Sequence, residues 1–101
     1  MGAALWADTR RAHIQQRYLN ALEQLAQSSE RDAPHMAIHY YQQVLQIDGC
    51  RERTATQLMR LAARFGNRSL VYNTFEHLKG SLRTLGATPE PATAALYQQL
   101  H

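Results

Sequence analysis

Residues 51–85 read RERTATQLMRLAARFGNRSLVYNTFEHLKGSLRTL, and this stretch decides the fold. In its first half Ala55, Leu58, Ala62 and Phe65 fall three or four positions apart. In its second half Val71, Phe75, Leu78, Leu82 and Leu85 do the same. That spacing lays an apolar stripe along one face of a helix. Gly66-Asn67 separates the two runs and reads as a turn. Moving outward, a shift of 34 positions carries Val71 onto Ala37, Phe75 onto Tyr41 and Leu78 onto Val44. It also carries Met59 onto Leu25 and Ala55 onto Ala21. The chain is therefore expected to fold as two helical hairpins and a closing helix. The small residue lets the helices of a hairpin approach, and the aromatic four places later fills the space where the next unit packs.

A small–aromatic pair recurring every 34 residues in a helix-turn-helix unit resembles a tetratricopeptide repeat. Composition agrees with an all-α, TPR-like array of about five antiparallel helices. The chain has 101 residues, enough for one domain that buries roughly two-thirds of its unfolded surface. It is 45% hydrophobic and 19% charged, a globular balance. The three prolines stand outside the apolar-periodic interiors. A net charge of +3, carried almost wholly by arginine, permits a nucleic-acid partner without requiring one. The single cysteine, Cys50, excludes an intrachain disulfide and a thiolate metal cluster, and suits a reducing cytoplasm. No apolar run is long enough for a membrane span and no leader pattern is present. Residues 1–5 are expected to be a disordered or added lead-in, and residues 6–101 the domain. Chain ends that coincide with helix ends suggest a piece of something larger.

In order, the first helix is predicted from Ala7 to Gln27, with Ile14, Tyr18, Leu22 and Leu25 facing the core, Leu19 and Ala21 flanking them, and Trp6 as a lid. Asp32 is the expected N-cap of a second helix, Ala33–Ile47, with Pro34 in its first turn. Its buried face is Ala37, Tyr41, Val44 and Leu45, and Asp48-Gly49 ends it. The third helix spans Arg51–Phe65 with Gly66 after it. Asn67 caps the fourth, which reaches Leu85 before Gly86. Gly80 inside it costs about 1 kcal/mol against alanine. Thr88-Pro89-Glu90-Pro91 starts the last helix, Glu90–Leu100, whose apolar face is Ala92, Ala95, Leu96 and Leu100 with Tyr97 beside it.

Little in the sequence reads as catalysis. His35 and His39 have the spacing of a metal pair, but Met36 follows where a zinc protease has its general base, and both point about 160° away from Ala37 on a helical wheel. No metal or cofactor is expected. Cys50 follows Gly49 at a helix start, where the dipole could activate a thiolate, yet no His or acid is fixed beside it. Phosphate loop, serine-nucleophile and paired-carboxylate patterns are missing, so an enzyme is not expected. One surface stripe is a better candidate. Arg53, Arg60 and Arg64 lie within about 20° of one line on the third helix, with Gln57 beside them. A groove so lined can grip a carboxylate or phosphate through paired hydrogen bonds.

Tyr18–Ala26 (YLNALEQLA), Ala37-x3-Tyr41, Leu58-Met59-Arg60 and Gly66-Asn67-Arg68 resemble the bacterial transcriptional activator domain. So does the tail, Leu85-Gly86 followed by Pro89-x-Pro91-x-Thr93-x-x-Leu96-Tyr97-x-x-Leu100. This is the helical domain beside the winged helix in Streptomyces antibiotic regulatory proteins and related regulators. The resemblance covers about Trp6 to His101. Val71 stands where the family usually has Ala, Ser69 and Leu70 replace acidic residues, and Ser28–Asp32 replaces a Gly-containing turn. These departures touch packing and surface. The resemblance implies a non-catalytic module for protein interaction or dimerisation. Its expected partners are a second copy, RNA polymerase or its sigma subunit, or neighbouring regulator domains. DNA would be read only through a winged helix, of which this stretch shows no sign. A sensor role, with a nucleotide or other small anion in the Arg53/Arg60/Arg64 groove, is the alternative. Weak support of nucleic-acid binding by the basic helices is a third reading.

Overall fold

The computed structural model describes residues 2–101, with side chains described from Thr9 onward; Trp6 and its expected lid role lie outside the described side chains. Among the described residues the regular structure is α1 (Gly2–Ser29), α2 (Pro34–Ile47), α3 (Glu52–Arg64), α4 (Arg68–Arg83) and α5 (Pro91–Leu100), with no strand. The all-α array of antiparallel helices expected from the 34-residue period is thus the fold. Each helix packs chiefly on its neighbours in the chain, and α5 closes the stack against α3 and α4. The result is a slab, 51 × 34 × 18 Å.

Turn chemistry sets the hairpins. Gly66 and Gly86 both adopt positive φ, 70° and 72°. After each helix the glycine N–H reaches back three residues and the next N–H reaches back five: Gly66 to Ala63 and Asn67 to Ala62, then Gly86 to Arg83 and Ala87 to Leu82. These are paired C-terminal caps that only a residue tolerant of left-handed backbone closes cheaply. The Asn67 side chain then accepts from Leu70 N–H at 3.1 Å and starts α4. At α2 the expected cap is wrong. Asp32 is exposed and the N-cap residue is Ala33, without a side-chain bond. Pro34 at the first helical position removes one N–H that would need a partner, which weakens the demand for a cap.

The core follows the repeat in three clusters, with half-buried Tyr40 and Leu70 packed between them. Ala37, Tyr41 and Val44 of α2 and their counterparts Val71, Phe75 and Leu78 of α4 are all buried. Leu45 joins the α2 face as expected, and Ala55, Leu58 and Ala62 of α3 are buried with them. Phe65 is 56% exposed and Leu85 72% exposed, because each sits at or past a helix end where the chain turns away.

Helix α1 departs from its predicted orientation. It begins at Gly2 rather than Ala7, and its buried face is Leu19, Leu22, Glu23 and Ala26. Ile14, Tyr18, Ala21 and Leu25, three of them predicted to face the core and Ala21 to flank it, are exposed. The helix carries two apolar stripes about 100° apart, and α2 covers only one. Leu19 answers Ala55, Leu22 answers Leu58 and Ala26 answers Ala62, two positions out of step with the 34-residue period. The end helix is likewise rotated. Thr93 and Tyr97 are its buried residues, Leu96 and Leu100 are partly buried, and Ala92 and Ala95 are exposed. The Tyr97 ring stacks on Phe75 at 4.2 Å between centroids and 4° between planes, so one aromatic pair seats α5 on the second hairpin.

Candidate functional site

Two polar clamps hold α3, the central helix. On one side the buried carboxylate of Glu23 accepts from Arg51 Nη1 at 3.0 Å and from the Thr54 hydroxyl. Arg51 also donates to Gln16 Oε1 at 2.6 Å and Asn20 Oδ1 at 3.1 Å. This guanidinium therefore staples the start of α3 to α1. On the other side Glu52 Oε2 accepts from Glu90 N–H at 3.0 Å and from Thr93 Oγ1–H at 2.8 Å. Glu90 is the residue before Pro91, and its own side chain makes no cap. A carboxylate from α3 thus satisfies the open N-terminus of α5, where negative charge is favoured. The Pro-x-Pro-x-Thr pattern of the tail acquires a physical meaning: it presents Thr93 to Glu52.

The arginine stripe lies on the α3 surface between these clamps. Arg53 and Arg60 are exposed and line one cleft of about 360 Å³, together with Thr56, Glu52, Thr93 and Leu96. Arg64 is exposed one turn further on, with Nη1 3.8 Å from Glu30 Oε1. Gln57 is half-buried, and its Oε1 is enclosed without a hydrogen-bond partner. The structure brings Arg53 and Arg60 together as sequence spacing implied, and turns Arg64 toward the α1–α2 turn. Such a cleft can hold a carboxylate or phosphate between two guanidiniums; Glu52 and Glu90 beside it restrict the position of any anion.

Glu30 has a second role. The Tyr41 hydroxyl donates to its Oε2 at 2.6 Å. Burial, and then that bond to a carboxylate, push the Tyr41 phenol far above its ordinary value, because both oppose a second negative charge. Sequence reading placed Tyr41 correctly in the core but missed Glu23, Glu30 and Glu52. No spacing rule finds them, since their partners are 11 to 41 residues away. The useful signal would have been Glu23 standing between Leu22 and Ala26, the single carboxylate of α1 from Thr9 to Ser29.

His35 and His39 are both exposed. Among the described residues no three His, Cys, Asp or Glu side chains gather as metal ligands. Cys50 is half-buried against the α2–α3 core, and its backbone N–H donates to Asp48 Oδ1 at 3.3 Å. No described helix is long and apolar enough to cross a membrane.

A further surface feature is the outer stripe of α1. Ile14, Tyr18 and Leu25 are 56%, 52% and 45% exposed, with Ala21 between them, and Arg10, Arg11 and Arg17 are exposed on its flanks. A family model described as "Bacterial transcriptional activator domain" matches residues 1–101. Neither a curated protein nor a solved structure matches the chain significantly.

Proposed function

The chain belongs to the bacterial transcriptional activator domain family, and from that premise we propose that it is a non-catalytic docking module, through which a transcription regulator engages another protein. The observation that carries this reading is the outer stripe of α1. Ile14 to Leu25 extends over about 16 Å of helix, exposed and without a covering helix among the described residues. A contiguous apolar strip of this kind marks a partner surface.

Charge selects the partner. Arg10, Arg11 and Arg17 lie within about 60° of the stripe on either side. Between Thr9 and Ser29 the single acidic residue of α1 is Glu23, which is buried against Arg51. A second copy meeting the Thr9–Ser29 face with its own would therefore set arginine against arginine. The occupant that fits is a protein surface of the transcription apparatus with an apolar centre and an acidic rim.

The test is the affinity for purified bacterial RNA polymerase holoenzyme, by biolayer interferometry, of the wild-type chain and of Tyr18→Asp with Leu25→Asp. Both positions are exposed, so circular dichroism and Tm should hold. Binding should weaken about tenfold or more in the variant, and should weaken with salt. No binding by the wild type, or equal affinity of the two, refutes the proposal. A concentration-dependent dimer abolished by the same substitutions would make a second copy the occupant.

A second reading rests on Arg53 and Arg60 at one cleft. A small anionic effector, such as a nucleotide, would bridge them. Arg53→Ala with Arg60→Ala should then abolish a thermal shift produced by ATP; a shift unchanged in the variant sinks this reading.

A further inference from the structure

The second hairpin shows what covers the outer side of a unit in this fold. Thr54 and Leu61 of α3 are fully buried by the first hairpin, Thr54 against Glu23 and Leu61 in one cluster with Ala26, Ala37 and Tyr41. On α4, Leu70 packs on the same cluster, Thr74 is buried and Ser81 is half-buried. The register in which α1 and α3 match in burial carries Thr54 and Leu61 onto Tyr18 and Leu25. The 34-residue period carries Leu70, Thr74 and Ser81 onto Met36, Tyr40 and Ile47. Tyr18, Leu25, Met36 and Ile47 are exposed, and Tyr40 is half-buried. The terminal unit of a repeat array in water ordinarily turns a polar face outward. Here two tyrosines, a leucine, a methionine and an isoleucine stand where the next unit has two threonines, two leucines and a serine. The open face of the first hairpin thus has the composition of a contact between units.

We infer that the α1 stripe and one edge of α2 form a single docking face, whose occupant is an amphipathic α-helix with acidic flanks. This rests on the docking role proposed above for α1, and adds a second helix and the form of the partner. Met36, Tyr40 and Ile47 lie within about 40° of one line, about 120° round α2 from Ala37, Tyr41 and Leu45. Tyr40 packs against Leu19 and Leu22 of α1, so this line borders α1. The hairpin is antiparallel, which places Leu25 toward the Met36 end and Tyr18 toward the Ile47 end. The face runs about 16 Å along α2, room for roughly three turns of a helix laid in the groove. On the second hairpin the equivalent ground is held by Ala37, Tyr41 and Leu45, spaced four apart on one helix. A partner helix with that spacing reproduces the contact. Helix α2 carries no Asp, Glu, Lys or Arg, whereas Arg11 and Arg17 of α1 are exposed beside the stripe. Carboxylates on the partner's flanks meet these guanidiniums.

The experiment is a methyl NMR titration of the intact chain with a blocked helical peptide of about 18 residues, leucines on one face and glutamates on the other. The Met36 and Ile47 methyl signals should shift together with those of Ile14 and Leu25, saturating with a Kd on the order of 100 μM. Lysines in place of the glutamates should weaken binding about tenfold, and so should a central proline that breaks the helix. Met36→Lys with Ile47→Lys changes two exposed positions of α2 and should weaken binding about tenfold. The wild-type footprint reads the α2 contribution whether or not that variant folds. Absence of saturable shifts, shifts confined to α1, equal binding of the lysine or proline peptide, or full affinity in the variant would overturn the assignment. The same methyl signals moving on dilution of the chain alone would make a second copy the occupant, which also overturns it. No polymerase is present, so a failure here is distinct from a failure to bind the holoenzyme.

Discussion

Glu23 offers the sharpest test of how α1 is held. Its carboxylate is buried and carries two bonds, one from Arg51 at 3.0 Å and one from Thr54. Glu23→Ala removes both. Arg51 keeps Gln16, Asn20 and the Asp48 carboxylate at 3.6 Å, so the guanidinium is not stranded. Thr54, fully buried, is left without its partner. A lost charge-assisted bond and an orphaned hydroxyl together cost about 3 kcal/mol. A small domain has about 5 to 15 kcal/mol of stability in all. For a chain of this size the loss is a Tm drop of about 15 °C. Urea titration followed by circular dichroism measures it directly. Thr54→Val alone should cost about 1 kcal/mol, and the double variant should cost less than the sum, with a coupling of about 1 kcal/mol. Additive losses, or a Glu23→Ala change within about 0.5 kcal/mol of wild type, would refute the claim that this carboxylate docks α1.

Four further outcomes follow from the structure. Gly80 lies inside α4 and a Cβ there would touch nothing within 4 Å, so Gly80→Ala should raise stability by about 1 kcal/mol. Gly49→Ala should lower it, because its Cβ would overlap Ser81 Oγ and stand 3.0 Å from His77 Cε1; thermal melts distinguish the two signs. Tyr41 retains its proton when folded to a higher pH than in the unfolded chain. Its stabilising contribution is therefore complete below about pH 10 and declines above it, by roughly 1.4 kcal/mol per pH unit. Denaturant midpoints between pH 9 and 11 should show that decline, and Tyr41→Phe should flatten it by one proton. Tyr97→Ala removes the stack on Phe75 and should cost about 3 kcal/mol, with α5 amides losing hydrogen-exchange protection first; uniform protection along α5 would contradict that seating.

The sequence alone determined the helices, their number and the turns between them. Gly66, Gly86 and Asn67 act within a few residues of themselves, so their effect is written locally. The buried stripes of α2 and α4 were legible because each of these helices has a single apolar face. The Arg53–Arg60 pairing was legible for the same reason, both residues standing on one helix at helical spacing. Tertiary structure decided the rest. Helix α1 carries two apolar stripes, and the richer one, Ile14 to Leu25, is the one left exposed. Burial is settled by what lies opposite, and only the Leu19–Leu22–Ala26 stripe lets Glu23 turn inward to Arg51 and Thr54. The clamp from Glu52 to Thr93 likewise joins residues from different helices. Contacts of that kind depend on crossing angles and inter-helix distances, which no one-dimensional period encodes.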